Sequence, residues 1–251
     1  MKKKWILIGS SLLFFLIAFF VLLHFPQVLL SKALDHGPFT VYSPTPLEAP
    51  EEWRLLLDSA AILLEKSELH TPEQTYLLFM ASGTTYEQLL RWVGWDKPFA
   101  FAFLNRQIFL AEPHIKDGLF ARNNSEYEKR SMLQLIVHES VHCQQDKQGV
   151  KRGLPPWVNE GYAEYVSHTP IYERPDYNLA QVVRELEETR GEYWLRSDYG
   201  YWDIWEYKYY RVLVEYLIEV EDLSIREIIE KQAEWNPAIR FEQIKTFYGV
   251  Q

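Results

Sequence analysis

Hydrophobic and polar positions change pattern several times along the 251 residues. From Trp5 to Phe25 no charged side chain occurs, and only Gly9, Ser10, Ser11 and His24 interrupt the apolar run. A helix needs about 20 such residues to cross a bilayer, and a run apolar on all sides has no face to turn to water. Lys2, Lys3 and Lys4 precede it. The pattern predicts a cytoplasmic tail at 1–4, a transmembrane anchor at 5–25 and an extracytoplasmic remainder, a single-pass cell-membrane arrangement. A cleaved signal peptide has a shorter apolar region, about 7–15 residues, ending in a small-residue site, and Pro26-Gln27-Val28-Leu29-Leu30 supplies none. Residues 26–50 hold Pro26, Pro38, Pro44, Pro46 and Pro50 with little periodicity, which predicts a stalk or linker.

A folded domain is expected over 51–251. Trp53, Leu56, Leu57, Ala60 and Leu64 recur at helical spacing behind Glu51 and Glu52, acids suited to a helix N-terminus. Residues 75–80 read as a buried strand, 87–93 as a short helix, and 99–104 with 107–111 as a hairpin or adjacent strands. Thereafter the chain turns helical: 131–145, 155–166, 179–189, 202–220, 225–231 and 237–247. A small mixed sheet followed by a mainly helical half is an α+β arrangement.

Lys and Arg number 26 against 35 Asp and Glu. Three of the lysines precede the apolar run, so the remainder carries 23 cations and a formal charge of −12. That balance excludes a nucleic-acid partner, which requires clustered positive charge. The single cysteine, Cys143, can form no internal disulfide and reads as a small buried hydrophobe.

Residues 138–142 are His-Glu-Ser-Val-His. Positions i and i+4 of a helix share one face, so both imidazoles can reach one Zn²⁺ at about 2.0–2.1 Å. Glu139 lies one position on, near enough to act on metal-bound water without ligating. Leu133, Leu135, Ile136, Val137 and Val141 surround the pair, and unpartnered histidines on so apolar a helix would cost stability. A reversing loop over 145–153 can return Glu160, within Trp157-Val-Asn-Glu-Gly-Tyr-Ala-Glu-Tyr165, to the same point. Two histidines and a glutamate leave the fourth position of a catalytic zinc open for water. Glu164, one turn after Glu160, is placed to accept the free N–H of a ligand histidine.

The paired motifs HESVH and WVNEGYAEY resemble the gluzincin branch of the zincin metallopeptidases, closest to the small peptidase MA-like proteins with HExxH followed by W-x-x-E-G-x-A-x-Y. The likeness covers roughly residues 75–220. It implies a zincin-like domain with His138, His142 and Glu160 as ligands and Glu139 as general base. It further implies an edge strand, from 99–104 or 107–111, that holds an extended peptide or protein substrate by β-augmentation. A tyrosine near the start of the helix after the third ligand would steady the oxyanion; Tyr207 aligns best, with Tyr209, Tyr210 and His168 as alternatives. The chain departs from the thermolysin-like pattern in carrying Glu164 where Asp is usual, and the glycine and third histidine of metzincins do not follow His142.

The expected function is therefore a membrane-anchored zinc metallopeptidase. Two rivals keep the same residues: a zincin-like binding or regulatory module without turnover, and a zinc hydrolase for a non-peptide amide.

Overall fold

In a computed structural model the described residues are 19–22, 24–80, 88, 100–110, 112–115, 118–121, 129–168, 175–196 and 202–250. The central element is a five-stranded mixed sheet built from β1 (Ser31–His36), β2 (Phe39–Ser43), β3 (Tyr76–Met80), β4 (Ala100–Phe103) and β5 (Gln107–Leu110), in the order β1-β2-β3-β5-β4. The β1–β2 and β4–β5 pairs are antiparallel, whereas β3 runs parallel to both β2 and β5. Of the two expected edge candidates, residues 100–103 form the edge and 107–110 lie inside the sheet.

The first two strands replace most of the expected stalk. Phe39 and Val41 turn inward at the two-residue period of a strand, as does Leu34 on the facing strand. Five prolines hide that alternation in the sequence. Pro38 sits in the turn, where no ladder N–H is required, and Gly37 takes the left-handed φ of 53° there. Only the stretch from 44 to the first helix keeps an irregular course.

Period-two alternation divides the sheet's side chains between two faces. Leu34, Val41, Leu78, Ile108 and Leu110 join the main core, with helices α1 (Pro50–Glu65) and α2 (Met132–Lys147) packed on that side. On the opposite face Leu30, Phe79 and Phe109 form a smaller cluster with Tyr42, Phe101 and Phe103. Its rings stack across the strands, with centroids 5.1 Å apart for Tyr42–Phe79, 5.2 Å for Phe79–Phe109 and 4.8 Å for Phe101–Phe109. Aromatic neighbours on adjacent strands stabilise such a face.

A second, antiparallel sheet of β6 (Glu112–His114), β7 (Leu119–Ala121) and β8 (Lys129–Ser131) leads into α2. The helical half continues with α3 (Pro156–Ser167), α4 (Leu179–Glu188), a two-stranded ribbon of β9 (Trp194–Arg196) and β10 (Trp202–Ile204), and α5 (Trp205–Glu219). It closes with α6 (Ile225–Lys231) and α7 (Pro237–Tyr248). Residues 202–204, expected as the first turn of a helix, are β10, because they pair with 194–196. The expected helix over 87–93 lies outside the described residues, apart from 88. So does most of the expected anchor; among the described residues no helix is long and apolar enough to cross a membrane.

Local signals start the helices that matter for the site. The Ser131 hydroxyl accepts the Gln134 N–H at 3.3 Å at the head of α2. Pro156 opens α3 at the position where a missing N–H costs nothing. The chain reverses between them through Gly149 and Gly153, both at positive φ, with the Gln145 carbonyl accepting from Val150 and Lys151 N–H.

Helices α3 and α5 pack closely at Gly161. A Cβ on this residue would lie 2.5 Å from the Tyr210 carbonyl oxygen and 2.8 Å from a Val214 methyl. Replacing an interior helical glycine by alanine gains about 1 kcal/mol of propensity, whereas overpacking against a fixed neighbour costs about 1–3 kcal/mol and sometimes more. Here the neighbour is backbone, so the cost wins. Gly161→Ala is expected to lower stability by about 1–2 kcal/mol, read as a reduced urea midpoint with unchanged slope. An equal or higher midpoint would contradict the close approach.

Candidate metal site

Helix α2 presents His138 and His142 one turn apart, and α3 brings Glu160 across to meet them. His138 Nε2 and His142 Nε2 are 3.1 Å apart, and each lies 3.3 Å from Glu160 Oε2. Tetrahedral ligands at about 2.0–2.1 Å from a zinc ion stand about 3.3 Å from one another, so the triangle has the size of three tetrahedral corners. Both histidines are buried, and the Glu160 side chain keeps only 21% of its exposure. These three residues form a group that can hold a metal ion.

The far side of each ring identifies which nitrogen faces inward. His142 Nδ1 donates to the Gln145 amide oxygen at 2.8 Å, an atom that can only accept. His138 Nδ1 lies 2.8 Å from Glu164 Oε1, although off the axis of an aligned N–H···O bond. With the His142 Nδ1 proton donated outward and Glu164 beside His138 Nδ1, neutral rings would turn both Nε2 lone pairs toward each other and toward a carboxylate. Electron-rich atoms so crowded away from water repel unless a cation or proton joins them. The donor set, two imidazoles and a carboxylate, suits Zn²⁺.

Electrostatics among the side chains agree. Burial works against a charged His138, but the Glu164 and Glu160 carboxylates outweigh it and raise its pKa well above the ordinary value. Burial likewise opposes charge on Glu160, yet hydrogen bonding to both histidines holds its carboxyl far below the usual range. Glu164, also opposed by burial, is held down to about 2 by His138 and then by His168 and Arg211.

Two residues that sequence reasoning did not single out complete the cradle. Gln145 accepts from His142 and donates to the Asn159 carbonyl oxygen at 3.1 Å. Asn159 Nδ2 in turn donates to Glu160 Oε1 at 2.7 Å, leaving Oε2 for the histidines. A signal for Gln145 existed in its i+3 spacing from His142, but a neutral amide near a helix end carries no chemical flag. Nothing local flags Asn159.

The remaining expected residues are placed as follows. Glu139 is buried on α2, near enough for its charge to act on His138 and Tyr207. The Tyr207 ring, from the first turn of α5, stacks on His138 with centroids 6.0 Å apart. Burial and then the carboxylates of Glu160, Glu164 and Glu139 raise its pKa, so it stays a phenol. The alternatives are engaged elsewhere: Tyr209 packs on Trp205 and Phe241, and Tyr210 donates to Glu206 at 2.5 Å. His168 stands behind the site, its Nδ1 3.2 Å from Glu164 Oε2 and 2.8 Å from the Glu164 carbonyl oxygen. The longer glutamate at 164 thus spans two imidazoles.

In comparisons with known proteins, no family model, curated protein or solved structure matches this chain.

Removing a group that orients a ligand commonly costs about 10–100-fold in metal affinity. Glu164→Gln and Gln145→Ala are each expected to weaken Zn²⁺ binding to that extent in competition with a chromophoric chelator, with helicity unchanged. Unaltered affinity in both variants would show that neither side chain positions a ligand.

Proposed function

We propose that the chain is a membrane-anchored, zinc-dependent metallopeptidase with a zincin-like domain on the extracytoplasmic side. The observation that carries this reading is the triangle of His138, His142 and Glu160 donor atoms with two further groups beside it, the Glu139 carboxylate and the Tyr207 phenol. A structural zinc is enclosed by four protein ligands, whereas a catalytic one keeps a position open. Three donors fit the second kind, and the site has both a base and a phenol at hand.

Zn²⁺, when bound by these residues, supplies a Lewis acid that acidifies water and polarises a carbonyl. Glu139 accepts the proton of the attacking water and passes it to the departing amine. Tyr207, kept protonated by its surroundings, donates to the oxygen on which negative charge develops. Glu164 and Gln145 hold the two imidazoles in the tautomer that directs Nε2 inward. An extended substrate backbone can add to β4, an edge of the sheet among the described residues, which lies beside α2. The hydrophobic run at 5–25 is the anchor, with peptide or protein substrates met outside the membrane.

Glu139→Gln preserves size and removes the base. Its expected effect is a loss of peptide hydrolysis by about 10²–10⁴-fold with near wild-type zinc content, measured on the full chain in detergent. Zinc retained by the wild type with no turnover over a broad peptide library would defeat the enzyme reading in favour of a binding or regulatory module. Turnover confined to non-peptide amides would move the assignment to another hydrolase.

A further inference from the structure

An apolar surface lies on the opposite side of the sheet from α1 and α2. Residues 19–22 and 24 are helical, and Pro26–Val28 form a 3₁₀ turn. Along this segment Phe20 is 58% exposed, Phe25 47%, Val28 66% and Leu29 41%. Such a run of exposed large hydrophobics is unfavourable in water and marks a contact surface.

The segment is fastened to the sheet at both ends. Gln107 Nε2 donates to the His24 carbonyl oxygen at 2.8 Å, and the His24 ring meets Phe103 edge-on at 5.5 Å. At the other end Leu30 is buried in the aromatic cluster with Phe79 and Phe109. The exposed side chains are therefore held out by a braced segment.

A second observation comes from the β4–β5 hairpin. Leu104, next to Phe103, is 45% exposed and has a φ of 56°. That backbone conformation suits glycine or asparagine and is strained for leucine. A strained, outward leucine gains nothing for a hairpin tip in water. Exposed Arg106 stands two residues on.

Charge identifies the occupant. The chain has 35 acidic residues, yet none precedes Asp35 and none falls within 100–110. The residues that form it, 20–29 and 100–110, carry no acid in an acidic protein, and the first stretch overlaps the end of the uncharged run from Trp5 to Phe25. We infer that the 25–29 segment, where the anchor emerges, and the Leu104 hairpin tip, braced together on the aromatic face of the sheet, rest in the interfacial region of a phospholipid bilayer and seat the domain there in one orientation. Apolar side chains enter the boundary region while Arg106 meets headgroup phosphate. This inference rests on the membrane-anchor part of the proposed function and is independent of zinc and turnover.

The seat is coupled to the metal helix. Gln107 binds His24 through its side chain, and its carbonyl oxygen receives the Cys143 thiol at 3.9 Å, one residue from His142.

The test uses the full chain reconstituted into phosphatidylcholine vesicles, with a fluorophore on Asn105→Cys at the hairpin tip or on Ile62→Cys of α1, which is 59% exposed. Cys143 is buried and does not compete for the label. Lipids with brominated acyl chains are expected to quench the label at 105 and leave that at 62 unchanged. Leu104→Gly is expected to abolish the quenching at 105, to keep the chain floating with the vesicles, and to raise the unfolding temperature in detergent by relieving the backbone. Floating vesicles with both labels unquenched mean a loose tether and overturn the seat alone. Protection of the label at 105 only through copy-to-copy contact, without lipid quenching, also overturns it. A chain that does not float refutes the anchor itself and the seat with it, leaving zinc content and peptide cleavage to judge the enzyme reading separately.

Discussion

Two imidazole nitrogens and one carboxylate oxygen within 3.3 Å of one another, in a spot nearly closed to water, form the constraint around which the helical half is organised. Without a shared proton or cation these atoms repel, and the surrounding helices hold them together. The α2–α3 reversal holds two helices side by side, and Gln145 ties one to the other through Asn159. Glu164 spans His138 and His168. A cation bound at the centre would turn this tension into stability, because its binding free energy adds to that of folding.

The polar surroundings of the site continue into the interior. Arg211 and Glu215 are buried on α5, and Tyr177 donates to Glu215 at 2.5 Å. Burying such groups is costly unless they are paired. The Arg211 cation helps Glu164 stay charged, while the other side of the sheet is covered by stacked aromatic rings.

What could be read in advance follows from how chemistry is written in a sequence. His138, His142 and Glu160 were legible because ligand residues recur at intervals set by helix geometry, and the helices carrying them begin within a residue or two of the expected points. Glu164 was legible for the same reason. Gln145 and Asn159 were not, since neutral amides take part through partners that only the fold supplies. The β1–β2 hairpin was hidden by proline density, although Phe39, Val41 and Ser43 alternate correctly. The sheet of β6 to β8 consists of three-residue strands, too short for any period to register, and residues 202–204 were claimed for a helix because an aromatic-rich run has no clear period. Which of the four aromatic and imidazole candidates lies near the histidine pair was not legible either: packing puts the Tyr207 ring on His138, while Tyr209 and Tyr210 turn to other partners.

The contact between Gly161 and the Tyr210 carbonyl has a mechanical consequence. With no side chain between them, α3 and α5 meet nearly backbone to backbone at this point, so a shift of one helix presses on the other and on the residues each carries, Glu160 and Tyr207. A rocking of this helix pair against α2 would therefore change the spacing of Glu160 from the two imidazoles and of Tyr207 from His138 in one motion.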